Sequence, residues 1–243
     1  DIGWGLDYDW LKKFGISEIP HKKFLNDYFT GKFPDSNARG ELYNNDPRLG
    51  DARLCGTTAS LCGIEAALED KDTDELEKSI DCDIMLHAYM LTQSGIPVLY
   101  SGDEIGQLND YSYHDNPEKS VDSRYLHRGK FNWKLAENCD DSDTVQGRIF
   151  QSILKLEKCR AENEVFRAEA DFQTVDTGSD SVLGICREYE NKKLLAYFNF
   201  SDNPQSVFLD GVKSGRDLFT DDEVCSISIE LKPYGFSWLL LDE

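Results

Sequence analysis

Residues 95–104 read "GIPVLYSGDE", a short continuous apolar run set directly before two adjacent carboxylates, Asp103 and Glu104. A run of that length without polar alternation is the pattern of a strand buried on both faces, as in a parallel sheet. Upstream, "DTDELEKSIDCDIMLHAYMLTQSG" places Leu76, Ile80, Ile84, Ala88 and Leu91 at spacings of four and three. With acids in its first turn and Gly95 just past its end, it predicts an amphipathic helix. Downstream, the polar stretch "IGQLNDYSYHDNPEKSVDSRYLHR" leads to a second helix, "TVQGRIFQSILKLEKCRAEN", with Ile149, Ile153 and Leu156 on one stripe and Phe150 and Leu154 beside it. Helix, buried strand, long loop and helix make an α/β passage. Carboxylates just past the C-terminal end of such a strand lie where an α/β barrel builds its site. Adjacent strand residues point to opposite faces, so Asp103 and Glu104 cannot by themselves form the facing pair, about 5–5.5 Å apart, of a retaining glycosidase. The residues leave one as a structural acid and the other as a solvated loop residue.

From Asp1 to about Gly56 aromatics are scattered among Gly, Pro, Asn and Asp, with short helices such as "HKKFLNDYFTGKF" and no sustained period. An irregular region of that length is usually functional. After about Ala168 the texture becomes short strands between turn residues: "SVLGICREY", "KLLAYFNF", "QSVFL", "CSISIEL" and "FSWLLL". That spacing predicts an antiparallel sandwich, a separate small domain.

The 243 residues carry 46 Asp and Glu against 26 Lys and Arg, a formal charge of -20. Nucleic acid and anionic membranes are therefore repelled, and a neutral polyol is the more natural partner. No apolar run is long enough to span a bilayer. Seven cysteines without a CxxC pair indicate neither a zinc site nor a disulfide framework, which favours a reducing, cytoplasmic setting. His21, His87, His114 and His127 show no ligand spacing, so no metal is expected. Neither a GxSxG, a Walker nor a GxGxxG pattern occurs.

Two segments offer binding groups. In "YNNDPRLGDARLCGTTASL", Arg48 and Arg53 sit in a Gly/Asn/Asp-rich loop where a guanidinium can address a hydroxyl-bearing ligand or pair with a loop carboxylate such as Asp46 or Asp51. In "SVDSRYLHR", Arg124 has the same two readings, with Asp122 close enough to be a structural partner. These residues supply an architecture and candidate binding groups, but no catalytic constellation.

"GIPVLYSGDEIG" resembles the segment at the eighth barrel strand of the α-amylase superfamily, glycoside hydrolase family 13. Together with "DIGWG", "GDARLCGTTASL", "GDEIGQLNDYSYHDNPEKSVDSRYLHR" and "LLAYFNFSDNPQSV", in the same order, the whole chain is similar to the amylosucrase group of that family. The sandwich and the 130–145 loop follow the pattern only loosely. The resemblance implies an α/β plus all-β chain: the last part of a (β/α)8 TIM barrel followed by a C-terminal β-sandwich. Residues 1–67 would be an insertion over the active-site mouth after strand seven, 68–167 the helix–strand–helix part of the barrel, and 168–243 the sandwich.

The resemblance also implies that no catalytic residue lies in this chain. The family's nucleophilic Asp, acid/base Glu and stabilising Asp would all precede Asp1, which matches the second Asp of a His-Asp-Asp motif. Asp1 and Arg53 would contact the fructosyl part of sucrose or the acceptor sugar, and Arg124 would help close the glucose subsite. Glu104 would be a structural acid behind the pocket. The implied partners are sucrose and α-glucan, without cofactor, and the implied reaction is retaining glucosyl transfer to an α-1,4-glucan. The chain by itself is expected to be inactive. The alternatives are an α-glucan hydrolase, a sucrose or trehalose isomerase, and a non-catalytic carbohydrate-binding protein.

Overall fold

The computed structural model describes residues 2–242. The chain forms two compact units, one from residues up to 79 with 101–138, the other from 80–100 with 139 onward. The helix Thr73–Thr92 contributes to both.

The first unit holds a small antiparallel sheet of β1 (Ile2–Gly3), β2 (Glu41–Asp46) and β3 (Asp51–Cys55), in the order β1-β3-β2. Around it lie α1 (Tyr8–Leu11), α2 (Glu18–Phe29), α3 (Thr58–Leu61), α4 (Ile64–Asp70) and the first turns of α5 (Thr73–Thr92). The short α6 (Trp133–Ala136) comes later in the chain. The expected helix in "HKKFLNDYFTGKF" is the larger part of α2. Its weak periodicity has a physical cause, since its buried residues are polar: Lys22 and Asn26. Lys22 Nζ reaches Glu18 at 2.8 Å and Asp51 at 2.5 Å, and Asn26 Nδ2 donates to the Gly50 carbonyl at 2.8 Å. Hydrogen bonds, rather than an apolar stripe, fasten this helix to the β2–β3 turn.

In the second unit the later turns of α5 and α7 (Val145–Glu162) follow the predicted stripes: Ile80, Ile84, Ala88 and Leu91 are buried, as are Ile149, Ile153 and Leu156. The strands are β4 (Asp171–Val175), β5 (Val182–Tyr189), β6 (Lys192–Asn199), β7 (Gln205–Phe208), β8 (Gly215–Asp217), β9 (Glu223–Val224), β10 (Ser228–Leu231) and β11 (Phe236–Leu241). Six form an antiparallel sheet in the order β4-β5-β6-β11-β8-β9, and β7 pairs with β10. Val182, Cys186, Leu195, Tyr197, Val207, Leu209, Leu231 and Leu239 close one core, as in a sandwich. On the other face of β6 and β11, Phe198 packs against Tyr89 and Trp238 against Phe166. The central strands are thus buried on both sides, which is why they read as unbroken apolar runs.

The expected strand Ile96–Tyr100 is a correction. It pairs with no described strand, and every strand pairing among the described residues is antiparallel. No parallel barrel sheet is present among them. Ile96 is 91% and Val98 76% exposed. A strand is defined by the neighbours that take its N–H and C=O groups, and a local apolar run cannot supply them. Two arginines hold the start of this segment: Arg160 donates to the carbonyls of Leu91, Gln93 and Gly95, and Arg187 to that of Thr92.

Candidate functional site

The β2–β3 hairpin positions the first of the expected binding residues. Ala52 and Leu54 of β3 are buried, so the alternation of the strand turns Asp51 and Arg53 outward. Register pairs Tyr43 with Arg53, and an irregularity between Tyr43 and Asp46 sets that register before the turn at 46–50. Within the turn Asp46 accepts from the Arg48 backbone N–H and from both arms of its guanidinium, at 3.0, 3.2 and 2.9 Å. This is the surface ion pair foreseen for Arg48. Both carboxylates considered as structural partners of Arg53 are engaged elsewhere: Asp46 by Arg48 and Asp51 by Lys22.

The second expected arginine comes to the same place from a different loop. Residues Ser123–His127 form a 3₁₀ turn with Asp122 at its N-cap, and Ser123 Oγ donates to the Leu42 carbonyl at 3.1 Å. Arg124 folds back on Asp122 in a two-pronged pair, 2.8 and 2.7 Å, and its guanidinium lies over the Tyr43 ring at 4.4 Å. The Arg124 hydrogen bond holds the Asp122 carboxyl down at about 2, and the same contact raises Arg124. Tyr43 therefore has one expected arginine as its cross-strand neighbour and the other stacked on its ring. That gives one fixed cation on the aromatic face, held by Asp122, with the exposed Arg53 opposite Tyr43 in the hairpin register.

Asp103 and Glu104 lie on a 3₁₀ turn (Asp103–Ile105). The turn follows Gly102, whose φ of +104° suits glycine and whose missing Cβ would meet the Gln107 side chain at 3.1 Å. Glu104 Oε2 accepts from the Gly102 N–H at 2.7 Å, so this carboxylate closes its own turn. Asp1 lies outside the described residues.

Tyr43 and His127 are the participants that the residue pattern did not disclose. Tyr43 has no local signal, because its role follows from a cross-strand register. His127 Nδ1 accepts from the Gly56 N–H at 3.2 Å, next to β3, and burial above all pushes its pKa down to about 4 from the usual 6.5. Between those two values the unfolded chain binds a proton that the folded chain refuses, so the stability contributed by neutral His127 is present above about 6.5 and is lost as pH falls through about 4. Melting temperature should accordingly drop across that window in wild type, and His127→Gln, which keeps an acceptor but does not titrate, should flatten the slope. Identical pH profiles for the two would show that His127 does not govern it. Among the described residues no group of three or more His, Cys, Asp or Glu is placed to hold a metal ion, and all seven cysteines are free thiols.

Comparison with known proteins shows what the chain is similar to. Residues 172–238 match the family model of the maltogenic amylase C-terminal domain. Glucosylglycerate phosphorylase of Escherichia coli (strain K12) is 28% identical over 158 residues, 64% of this chain and 27% of the relative. Trehalulose synthase MutB of Pseudomonas mesoacidophila MX-45 shares the fold with a TM-score of 0.52 and 19% identity, over 65% of this chain and 38% of its own. AmyP solved with maltotriose shares it at 0.55 and 16%, over 70% and 38%. The chain is thus similar to glucosyl-transferring and glucoside-hydrolysing enzymes, with a C-terminal domain similar to that of maltogenic amylase. It spans about a quarter of the length of the phosphorylase and 38% of the synthase.

Proposed function

We propose that this chain is the C-terminal portion of an amylosucrase-like glucosyltransferase that uses sucrose to extend α-1,4-glucan with retention. The proposal rests on the hairpin register that sets Arg53 opposite Tyr43 and on the Arg124 guanidinium over the Tyr43 ring, two arginines about 70 positions apart in the sequence and both expected at a sugar pocket. In the proposed enzyme the nucleophilic carboxylate, the acid/base glutamate and the stabilising aspartate come from the part of the barrel preceding Asp1. The carboxylate attacks the anomeric carbon as the acid protonates the departing fructosyl oxygen. A glucan 4-OH then takes the glucosyl group from the covalent intermediate. Asp1 and Arg53 bind the fructosyl or acceptor sugar, Arg124 closes the glucose subsite, and Glu104 braces the loop behind it. Sucrose and oligosaccharides as ligands agree with a MutB variant solved with sucrose and with AmyP solved with maltotriose.

A second reading has an observation of its own. The similarity to a glucosylglycerate phosphorylase favours inorganic phosphate as the acceptor. Assay of the full-length protein on sucrose separates them: glucan and fructose without phosphate support the transferase, phosphate-dependent glucose 1-phosphate the phosphorylase, and a rearranged disaccharide an isomerase.

Arg53→Ala in the full-length protein tests the site itself. Loss of its charge-assisted hydrogen bonds should cost roughly 1.5–3 kcal/mol, about ten- to hundredfold, in sucrose use and transfer to glucan. Hydrolysis of an activated aryl glucoside, whose leaving group needs no guanidinium, should be largely spared. Equal losses on all three substrates would remove Arg53 from the binding residues.

A further inference from the structure

The two arginines of the candidate site come from different pieces of chain. Arg53 is carried by β3, whereas Arg124 rides on the 3₁₀ turn Ser123–His127. The pair with Asp122 belongs to that turn's own cap and moves with it, so it fixes the guanidinium to its loop and not to the hairpin. Glu41 is placed to make the second attachment. It opens β2 two residues before Tyr43, so both side chains stand on the same face of the strand. One of its carboxylate oxygens accepts from the Tyr113 hydroxyl, and the other lies 3.1 Å from His114 Nε2. Tyr113 is buried, and its ring packs on His114 with centroids 4.3 Å apart. Burial first, and then the Glu41 bond, raise the pKa of the phenol, which keeps it a donor. Tyr113 and His114 belong to the 3₁₀ turn Tyr111–Asp115, and at its cap the Asp110 N–H donates to the Leu126 carbonyl at 2.8 Å. The contacts thus close a ring: from Glu41 through Tyr113 to Asp110, on to Leu126 and Arg124, and back to β2, where Arg124 lies over Tyr43.

We propose that Glu41, acting through Tyr113 and His114, is a positioning residue that sets Arg124 relative to Arg53, and with it how well the site holds a sugar that reaches both. A hydrogen bond to a carboxylate is of the strong, charge-assisted kind, which suits a link that has to hold a loop to a strand. The precision is needed, because a binding group works only within about 0.5 Å of its productive place. The part of the arginines in sugar binding rests on the function proposed above. The placement of Arg124 by Glu41 does not.

Two measurements on the full-length protein test this. The first needs no substrate: labelling with phenylglyoxal, a guanidinium reagent, followed by peptide mass mapping gives a rate for each arginine. Glu41→Ala should label Arg124 about tenfold faster than wild type and leave the exposed Arg216 of β8 unchanged. Tyr113→Phe, which removes the hydroxyl and keeps the ring, should accelerate Arg124 in part, and it decides the matter where Glu41→Ala does not fold. Unchanged Arg124 labelling in Tyr113→Phe, or an acceleration shared equally by Arg216, would overturn the proposal. The second is a double-mutant cycle on sucrose. Glu41→Ala should lower kcat/KM about tenfold, and Glu41→Gln, which keeps an oxygen for the Tyr113 hydroxyl, should retain most of it. Added to Arg124→Ala, Glu41→Ala should cost little more, because it acts through the group already removed. Fully additive losses would overturn the proposal, since a merely structural residue gives that result. Faster Arg124 labelling in a protein that does not turn over sucrose keeps the positioning and removes the transferase; turnover with unchanged labelling removes only the positioning.

Discussion

Incubated with sucrose, the 243-residue chain should release no fructose above a buffer blank. Retaining transfer needs one carboxylate free to attack and another free to deliver a proton. The carboxylates around the arginine pair are already committed. Asp122 holds Arg124, Asp46 holds Arg48, and Asp51 holds Lys22. Glu41 receives the Tyr113 hydroxyl and lies 3.1 Å from His114 Nε2, and Glu104 closes its own turn. Removing a catalytic nucleophile and its partners typically costs about 10⁶-fold in turnover, so the expected rate is indistinguishable from the blank. Turnover of even a few per second would overturn the placement of the catalytic groups before Asp1. It would require a nucleophile among the residues described above.

The largest stability effect is expected at Arg187. Its side chain is fully buried in β5 and held by neutral oxygen acceptors. The guanidinium donates to the carbonyls of Val165 at 2.7 Å, Thr92 at 2.9 Å and Arg167 at 2.8 Å, and to Ser94 Oγ at 3.1 Å. Burial, and then the neighbouring Arg160 charge, lowers its pKa. The planar fork satisfies acceptors from the end of α5 and from within and just after the 3₁₀ turn Glu164–Phe166, a geometry that lysine cannot reproduce. Arg187→Met fills similar space but orphans those acceptors, each costing about 1–3 kcal/mol when left dry. With partial rescue by water the total should be about 3–5 kcal/mol, or roughly 6–20 °C in melting temperature. Arg187→Lys should recover only part of it. The control is Arg216→Met, since Arg216 is exposed and pairs with Asp221 at 3.2 Å, a contact worth under about 1 kcal/mol. Equal melting temperatures for the Arg187 and Arg216 variants would show that the buried network carries no special weight.

The sequence determined what depends on neighbours a few positions away. The stripes of α5 and α7 follow from spacings of three and four, and β5, β6, β7, β10 and β11 from dense apolar runs between turn residues. The pairing of Arg124 with Asp122 is likewise a contact two residues apart. β4 escaped the reading because nearly all of it is exposed, leaving no apolar pattern to detect. The sheet of the first unit escaped because polar pins from Lys22 and Asn26 replace the apolar face that would have announced it.

Two features only the tertiary structure decided. "IPVLY" has the composition of a buried strand, yet a strand exists only where other backbone takes its hydrogen bonds, and no described strand does so. The meeting of Arg53, Tyr43 and Arg124 depends on the hairpin register, which is set by the irregularity between Tyr43 and Asp46, and on a loop closing over Tyr43 from about 80 residues away. A shift of one residue in that register would turn Arg53 to the opposite face of the hairpin, because side chains alternate along a strand.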